Sequence, residues 1–200
     1  MKNIILSAVG LLFFCRGANA QTAEDIANVE NYLNNLKTLS AQFVQTASNG
    51  SSADGRIFIA KPNKIKMDYD EPTSVLIVGN GDYIVYNDKE LDQVTNIDYE
   101  DIPASLLLTD KVEIDGKNLK VTDFYKDSGT TEMTLEYAKG STGPITLVFS
   151  NQPFELKQWK IVDPQSIEVS ISLYNVQKDE PISDDTFRFS RKEKKNRRKK

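Results

Sequence analysis

The sequence predicts a mainly β protein in which about eleven short antiparallel strands form a barrel or a strongly curved sheet, covered by short helices. Three observations support this prediction. Apolar and polar residues alternate with a period of two along much of the chain, turn-forming residues recur at short intervals, and helical periodicity is confined to two segments. Alternation of this kind is typical of antiparallel sheets that bury one face.

The first 20 residues are predicted to be a signal peptide. Lys2 gives a basic start, residues 4–14 are apolar, and residues 18–20 have the small-x-small pattern that a signal peptidase cleaves. The apolar run is shorter than the roughly 20 residues that a membrane-spanning helix needs. We therefore expect cleavage after Ala20, export as a soluble protein, one domain over residues 21–189 and a basic tail over residues 190–200.

Cys15 offers an alternative, a lipid anchor on that side chain. The residue before a lipidated cysteine is normally small, whereas here it is Phe14, so the cleaved signal peptide is favoured. Residues 21–200 contain no cysteine. Packing rather than disulfide bonds must therefore hold the core together.

Composition argues against an enzyme and against a nucleic-acid partner. The chain has no histidine, so the most common general base and the two most common transition-metal ligands are missing from the mature protein. We interpret the carboxylate clusters at residues 68–71, 100–101 and 184–185 as solvated loop charge, and expect no metal or cofactor. Residues 21–187 carry 28 acidic and 14 basic side chains. A body this acidic repels a phosphate backbone.

The first structural element is predicted to be a helix from Thr22 to about Leu39. Thr22 can cap it, with Asp25 three residues later completing a pair of the capping-box type. Its apolar face, at helical spacing, consists of Ile26, Val29, Leu33 and Leu36.

Eleven strand patterns follow the helix. Three of them alternate clearly, at residues 64–69, 132–137 and 167–174. The others lie at residues 41–47, 55–60, 74–78, 83–87, 91–97, 119–125, 145–150 and 156–162. Turn signals such as Asn49-Gly50, Asn80-Gly81 and Asp115-Gly116 separate them.

A second short helix is predicted at residues 103–108, because Pro103 suits a first helical position. One apolar face of so many strands needs a cover, and two helices of this size can close a curved sheet without filling it. An apolar cavity between sheet and helices is one outcome of this geometry. A core filled by large side chains is the other, and the pattern alone leaves both open.

Several segments, in order, resemble the periplasmic lipoprotein carrier family LolA. The first segments are the run from Leu36 through Phe43 to Gln45, residues 55–63 ending in Lys61-Pro62-Asn63, and residues 67–72. The hairpin at residues 75–86 and the segment at residues 103–108 follow. The last segment, Asp185…Phe187-x-Phe189, resembles the family's closing strand. Each segment is a weak signal, but together they cover most of residues 21–189.

The resemblance implies an unclosed half-barrel of about eleven strands with a helical lid, located in the periplasm. Its cavity would take the acyl chains of a lipoprotein released from the inner membrane by a LolCDE-type ABC transporter. The cargo would then pass to an outer-membrane acceptor, LolB-like or unknown. The carrier would act as a monomer and without catalysis.

Carried over by position, the resemblance implies a set of cavity residues. The helix would contribute Leu33 and Leu36, the sheet Phe43, Ile65, Met67 and Tyr69, and the lid Leu106, Leu107 and Leu108. The alternative for each of them is a place in an ordinary core.

Lys61 occupies the position at which the family's well-studied carriers have an arginine that latches the lid. Lysine keeps the charge but lacks the planar set of donors. The resemblance therefore implies a lid latch at Lys61 that is weaker or closes differently. A solvated turn lysine is the alternative.

Residues 188–200 carry nine basic side chains and one acidic one. A solvated end is the simplest interpretation of this tail. The alternative is contact between the stretch from Lys192 to Lys200 and an anionic membrane surface.

Two other functions fit the same fold. One is an envelope-stress sensor of the RseB type, although that protein carries a second domain. The other is a carrier of other lipids or glycolipids, as in similar mycobacterial proteins, which usually have a lipid anchor.

Overall fold

The computed structural model describes residues 21–139, 143–163 and 165–190. The predicted signal peptide and the basic segment from Arg191 to Lys200 lie outside the described residues, as does the cleavage site after Ala20. No helix within the described ranges combines the length and the apolar character needed to cross a membrane.

The described chain contains one α-helix, three short 3₁₀ helices and eleven strands. The helices are α1 (Ala23–Asn35), η1 (Tyr99–Asp101), η2 (Pro103–Leu108) and η3 (Asp184–Phe187). The strands are β1 (Thr38–Ala47), β2 (Ser52–Ala60), β3 (Lys64–Tyr69), β4 (Val75–Asn80), β5 (Ile84–Asp88), β6 (Gln93–Ile97), β7 (Leu119–Lys126), β8 (Thr130–Tyr137), β9 (Ile145–Asn151), β10 (Phe154–Val162) and β11 (Glu168–Lys178).

All eleven strands form one antiparallel sheet in the order β6-β5-β4-β3-β2-β1-β11-β10-β9-β8-β7. Consecutive strands pair with each other except β6 and β7, and β1 also pairs with β11 at the centre. The strands β6 and β7 are the two edges, so the sheet curves without closing. This architecture confirms the predicted fold class, an unclosed antiparallel half-barrel under short helices.

Helix α1 begins at the predicted cap. The Asp25 backbone N–H donates to Thr22 Oγ1 at 3.2 Å, and the Thr22 N–H donates to an Asp25 carboxylate oxygen at 2.9 Å. The predicted end near Leu39 is wrong, because the helix stops at Asn35 and Leu36 is already extended, with ψ 118°. The reason is tertiary, since β1 begins at Thr38 and pairs with both β2 and β11.

Most of the buried strand residues form one core with α1 and η2 on the inner face of the sheet. Val78, Val85 and Phe187 are buried outside this core. In β3, for example, Ile65 and Met67 are buried, whereas Lys64 and Lys66 lie on the other face. The second predicted helix has the expected bounds and is a 3₁₀ helix with Pro103 in its first turn.

The last described element packs against the outer face of the sheet. Helix η3 contacts β3 and β4, its Phe187 is 1 % exposed, and Asp184 pairs with Lys64 at 2.8 Å. Because Lys64 points away from the buried face, η3 must lie outside the half-barrel. The strand that the family resemblance implies around Phe187 and Phe189 is not formed by the described residues of this segment.

Candidate functional site: an apolar cavity beneath η2

A largely apolar cavity of about 150 Å³ lies between η2 and the inner face of the sheet. Its wall comes from seven strands, β1 to β5, β10 and β11, together with η2 and the residue before it. Gln45 and Ser105 are the polar residues of a wall that is otherwise aliphatic or aromatic. The complete set is Gln45, Ile59, Ile65, Met67, Tyr69, Ile77, Ile84, Ile102, Ala104, Ser105, Leu107, Leu108, Trp159, Ile161, Val169 and Ile171.

The wall residues come from the inner faces of β1 to β5 on one side and of β10 and β11 on the other. The pairing of β1 with β11 brings these two groups of strands together, although they are more than 60 residues apart in the chain. A cavity of this size holds a molecule about as large as benzene, whereas pockets for drug-sized ligands measure roughly 300–1,000 Å³. The closed molecule therefore has room for part of one acyl chain.

Four of the predicted cavity residues lie on this wall, namely Ile65, Met67, Tyr69 and Leu107. The predicted lid residue Leu108 lies there as well. The wall does not include Leu33, Leu36, Phe43 or Leu106, which are all buried in the surrounding core.

Helix α1 contributes nothing to the wall because it is held against another part of the sheet. Its Tyr32 ring packs edge-on against Phe149 and Phe154, with centroids 5.3 and 6.3 Å away. Phe149 and Phe154 in turn stack on each other at 4.7 Å. This aromatic cluster seats α1 over β9 and β10, so Leu33 fills the core instead of facing the cavity.

Phe43 is also kept off the wall by its neighbour. Phe43 on β1 pairs with Gly55 on β2, and Gly55 in turn pairs with Tyr69 on β3. A Cβ atom on Gly55 would lie 2.2 Å from the Asp68 carbonyl oxygen, so only glycine fits this close approach of backbones. The Tyr69 ring lies across the gap and meets Phe43 edge-on at 5.0 Å.

Trp159 is a wall residue that no sequence pattern indicated. It is the only tryptophan of the chain, it is 2 % exposed, and it lies on β10 next to Ile171 of β11. The alternating pattern of β11 contains Val169 and Ile171, so the inward face of this strand was predictable. The cavity at this face was not predictable, because it depends on contacts between distant strands.

One polar pair interrupts the apolar wall. Tyr69 Oη donates to Gln45 Oε1 at 2.7 Å. Burial raises the pKa of Tyr69 far above its usual value, and nearby Tyr86 adds to the effect. Tyr69 therefore stays neutral, and the pair satisfies two polar groups without placing a charge in the cavity.

Lys61 makes its contact with α1 and not with η2. Its Nζ donates to the Leu33 carbonyl oxygen at 2.7 Å, in the last turn of the helix, where carbonyl groups lack helical partners. Burial lowers the pKa of Lys61 to about 8, with Lys37 acting in the same direction and Asp110 opposing it. The side chain thus ties the β2–β3 turn to the end of α1.

The same turn also holds η2, through its backbone. The Asn63 N–H donates to the Leu108 carbonyl oxygen at 3.0 Å. Tyr99 Oη donates to the Asn63 carbonyl and accepts from the Gly81 N–H at 3.2 Å. A Cβ atom on Gly79 would lie 2.5 Å from Tyr99 Oη, so glycine at this position leaves room for the tyrosine.

The segment after η2, residues 109–115, is called the strap here. Asn34 of α1 donates from Nδ2 to the Val112 carbonyl at 2.9 Å and accepts the Val112 N–H on Oδ1 at 2.7 Å. One turn earlier, Glu30 accepts the Ile114 N–H at 2.5 Å. Val112 and Ile114 are buried, so the strap closes the space between η2 and α1.

The described residues around the cavity present a mainly apolar surface. Within the described ranges, no three His, Cys, Asp or Glu side chains come together as metal ligands. The Lys61 side chain, from the turn that holds η2, donates to a helix carbonyl. What the geometry offers a ligand is apolar surface under a cover held by a few hydrogen bonds.

Comparison with protein families places the chain clearly. The family model described as outer membrane lipoprotein carrier protein LolA matches residues 34–190. This match includes all sixteen wall residues, the strap and η3.

Individual relatives agree with the family match. The outer-membrane lipoprotein carrier protein of Pseudomonas aeruginosa is 26% identical over 186 residues, which cover 86% of this chain and 88% of that protein. The carrier of Chromobacterium violaceum is 40% identical over 76 residues, covering 36% of this chain and 37% of that protein. An uncharacterized protein of Rickettsia prowazekii is 24% identical over 196 residues, covering 96% of this chain and 90% of that protein.

Solved structures share the fold at low identity. A DUF1329 family protein from Desulfovibrio piger superposes with a TM-score of 0.50 at 11% identity, over 82% of this chain and 95% of that one. A candidate outer membrane lipoprotein-sorting domain from Vibrio parahaemolyticus has a TM-score of 0.50 at 10% identity, over 82% of this chain and 94% of that one. These likenesses concern the fold, and the sequence match decides the family. The chain belongs to the LolA family of outer membrane lipoprotein carrier proteins.

Proposed function

We propose that this protein carries lipoproteins across the periplasm by enclosing their acyl chains in the cavity beneath η2. In this proposal the cargo is released from the inner membrane by a LolCDE-type transporter and delivered to an outer-membrane acceptor. The protein works as a monomer and catalyses no reaction. The observation that supports the proposal is an apolar cavity beneath a short 3₁₀ helix in a member of a carrier family.

The wall residues proposed to contact the acyl chain first are Ile65, Met67, Tyr69 and Leu107. Met67 suits this role because an unbranched, polarisable side chain adapts to chains of different shape. Leu33, Leu36, Phe43 and Leu106 would join the binding surface once the cover moves, since they lie in the same continuous core.

Acyl burial supplies the driving force for such a carrier. Each buried methylene contributes about 0.8 kcal/mol, so a lipoprotein does not leave a membrane for water without a container. A cavity of about 150 Å³ holds only part of one chain. Loading must therefore enlarge the cavity, and the free energy spent on opening keeps binding weak enough for release.

The experiment that tests this function is transfer from spheroplasts. Spheroplasts carrying newly made lipoproteins are incubated with purified residues 21–200, and lipoprotein in the supernatant is quantified. The wild type is expected to release lipoprotein, and Met67→Glu is expected to fail, because the substitution puts a carboxylate on the apolar wall. Lys66→Glu is the matched control, since it adds the same carboxylate to the same strand on the outer face.

Either of two results would contradict the carrier function. One is no release by the wild type, and the other is equal release by Met67→Glu and the wild type. A carrier of free lipids or glycolipids is the second candidate, because the same apolar wall would accept their acyl chains. Extraction of free lipid without lipoprotein from the same membranes would support that candidate, or a lipoprotein sensor.

A further inference from the structure

The strap differs from the rest of the cover in how its backbone is bonded. From residue 110 to residue 115 no backbone–backbone hydrogen bond is found within the described ranges, and β7 pairs with β8 alone. At its two ends the strap bonds locally, Thr109 to η2 and Asp115 to the turn before β7. Between these ends, the observed hydrogen bonds to the strap backbone come from the Asn34 and Glu30 side chains. A segment held by side chains of another element can leave without unpairing any strand.

The Asn34 contact has the form of a ladder pair. One side-chain amide bonds both the N–H and the carbonyl of Val112, as an opposite residue in an antiparallel sheet would do. Glu30 bonds Ile114, two residues further on the same side of the extended strap. Lys111 and Glu113, the alternate residues, are exposed and pair only with each other among the bonds observed, at 3.5 Å.

The strap controls access to the cavity because of what is attached to it. Four wall residues, Ala104, Ser105, Leu107 and Leu108, belong to η2, and the strap begins at the next residue. Helix α1 provides no wall residue and stays fixed to β10 and to Lys61. Lifting η2 to enlarge the cavity therefore requires loss of the Asn63–Leu108 bond and separation of the strap from α1, while α1 can remain in place.

We propose that the strap is the gate of the cavity and that the Asn34 amide sets how readily it opens to acyl chains longer than the closed cavity holds. This inference rests on the proposed function. Short chains enter the existing space with the strap in place. Long chains enter only after the Asn34 and Glu30 bonds break, a small cost compared with the burial of a long acyl chain.

Trp159 supplies a built-in probe for the test. As the only tryptophan, and one that lies on the wall, it is quenched by a bromine atom that enters the cavity. Stopped-flow quenching is recorded with brominated hexanoate and brominated palmitate. Asn34→Ala is expected to accelerate palmitate entry about tenfold, because one neutral two-bond contact is lost, and to leave hexanoate entry unchanged.

Three variants accompany Asn34→Ala. Asn34→Asp keeps the acceptor for the Val112 N–H and loses the donor, so an intermediate rate is expected. Glu30→Gln keeps an acceptor for Ile114 and is expected to behave as the wild type. Asn31→Ala is the matched control, because Asn31 is an exposed asparagine of the same helix with no hydrogen bond to the strap among those observed.

Amide hydrogen exchange gives a second measurement on the unmodified protein. The Val112 and Ile114 amides are bonded to α1 side chains in the closed state. Saturation with palmitate is expected to speed their exchange, and saturation with hexanoate is not. This comparison stays valid even if Asn34→Ala folds poorly.

The outcomes separate the gate from the carrier. Unchanged palmitate entry in Asn34→Ala, with normal quenching, would overturn the gate and leave the proposed function standing. Equal acceleration of both probes would also overturn it, since a loosened core admits any ligand faster. Absence of quenching by either probe in the wild type would remove acyl binding itself, and with it the proposed function.

Discussion

Lys61 makes one hydrogen bond that bears on the predicted lid latch without testing it. The family resemblance predicts a lid latch at this turn. In the structure the amine reaches the Leu33 carbonyl at the end of α1, and η2 is held by the backbone of Asn63. The lysine ammonium presents three donors at one point, whereas the arginine guanidinium spreads five donors over a planar fork. A latching role for Lys61 stays a prediction.

The buried position of Lys61 leads to a pH dependence. Its folded pKa of about 8 lies below the unfolded value of roughly 10.4, so the unfolded state binds more protons between these values. The free energy of unfolding contributed by this group should therefore rise as the pH increases from 8 towards 10. The measurement is urea unfolding of the wild type and of Lys61→Met at pH 7.5 and 9.5.

The quantity to compare is the difference in the free energy of unfolding between the wild type and Lys61→Met, because all other groups titrate in both proteins. We expect this difference to shift in favour of the wild type at the higher pH. Lys37→Met serves as control, since Lys37 is exposed, and its difference should stay constant. A wild-type advantage that falls with pH would contradict the buried, partly desolvated amine.

At the scale of elements, α1 is the fixed part of the cover and η2 with the strap is the part built to move. Helix α1 is anchored at both ends, by the pair of Asp25 with Lys126 at 2.6 Å and by Lys61 at its last turn. Helix η2 is a 3₁₀ helix of six residues and makes few backbone hydrogen bonds. Elements with few bonds open at a lower free energy than the sheet around them.

The anchoring of α1 can be tested at Asp25, a carboxylate that is 4 % exposed. Burial by itself would raise its pKa, but hydrogen bonds from Lys126 and from Thr22 outweigh burial and hold the pKa below its usual value. Asp25→Asn is expected to lower the free energy of unfolding by about 1–3 kcal/mol at pH 7, because a charge-assisted bond is lost.

The sign of the pH effect is opposite to that of Lys61. Stability that depends on a depressed carboxylate pKa is complete above the unfolded value of about 3.9 and disappears as the pH falls through the folded value. Urea unfolding at pH 7 and pH 3 should therefore show the gap between wild type and Asp25→Asn closing in acid. Glu24→Gln, an exposed residue of the same turn, should give a smaller gap at pH 7, and an equal gap would argue against the buried pair.

On the scale of the whole molecule, charge is distributed unevenly. The body is acidic, whereas the last thirteen residues, 188–200, carry nine basic side chains. Helix η3 fixes the start of this stretch on the outer face of the sheet, opposite the cavity. An anionic surface that bound residues 188–200 would therefore approach the outer face of the sheet.

The basic end is proposed to contact anionic membrane surfaces. Each basic residue near such a surface contributes about 1 kcal/mol at most, and the attraction is screened by salt. Deletion of the segment from Lys192 to Lys200 is expected to weaken cosedimentation with anionic vesicles at low salt. Zwitterionic vesicles are the control, and equal binding by the truncated and full proteins would rule the contact out.

Local periodicity was sufficient to predict the architecture. Period-two alternation in three segments and strand-like runs in eight others predicted strands at all eleven positions, and Pro103 marked the start of η2. The family resemblance, carried by short motifs in order, is confirmed by the match over residues 34–190. These features were accessible because each depends on residues close together in the chain.

The division between wall and core was decided by tertiary structure. Leu33 and Met67 look alike in the sequence, as apolar residues on the inward side of an amphipathic element, yet one fills the core and the other lines the cavity. The difference arises because β1 pairs with β11 and brings Trp159 and Ile171 opposite β3, while aromatic contacts draw α1 away. Local sequence patterns were enough to predict the fold and which side chains are buried in it. The cavity, its proposed gate and the hydrogen-bond partner of Lys61 depend on contacts between distant segments, which no local pattern specifies.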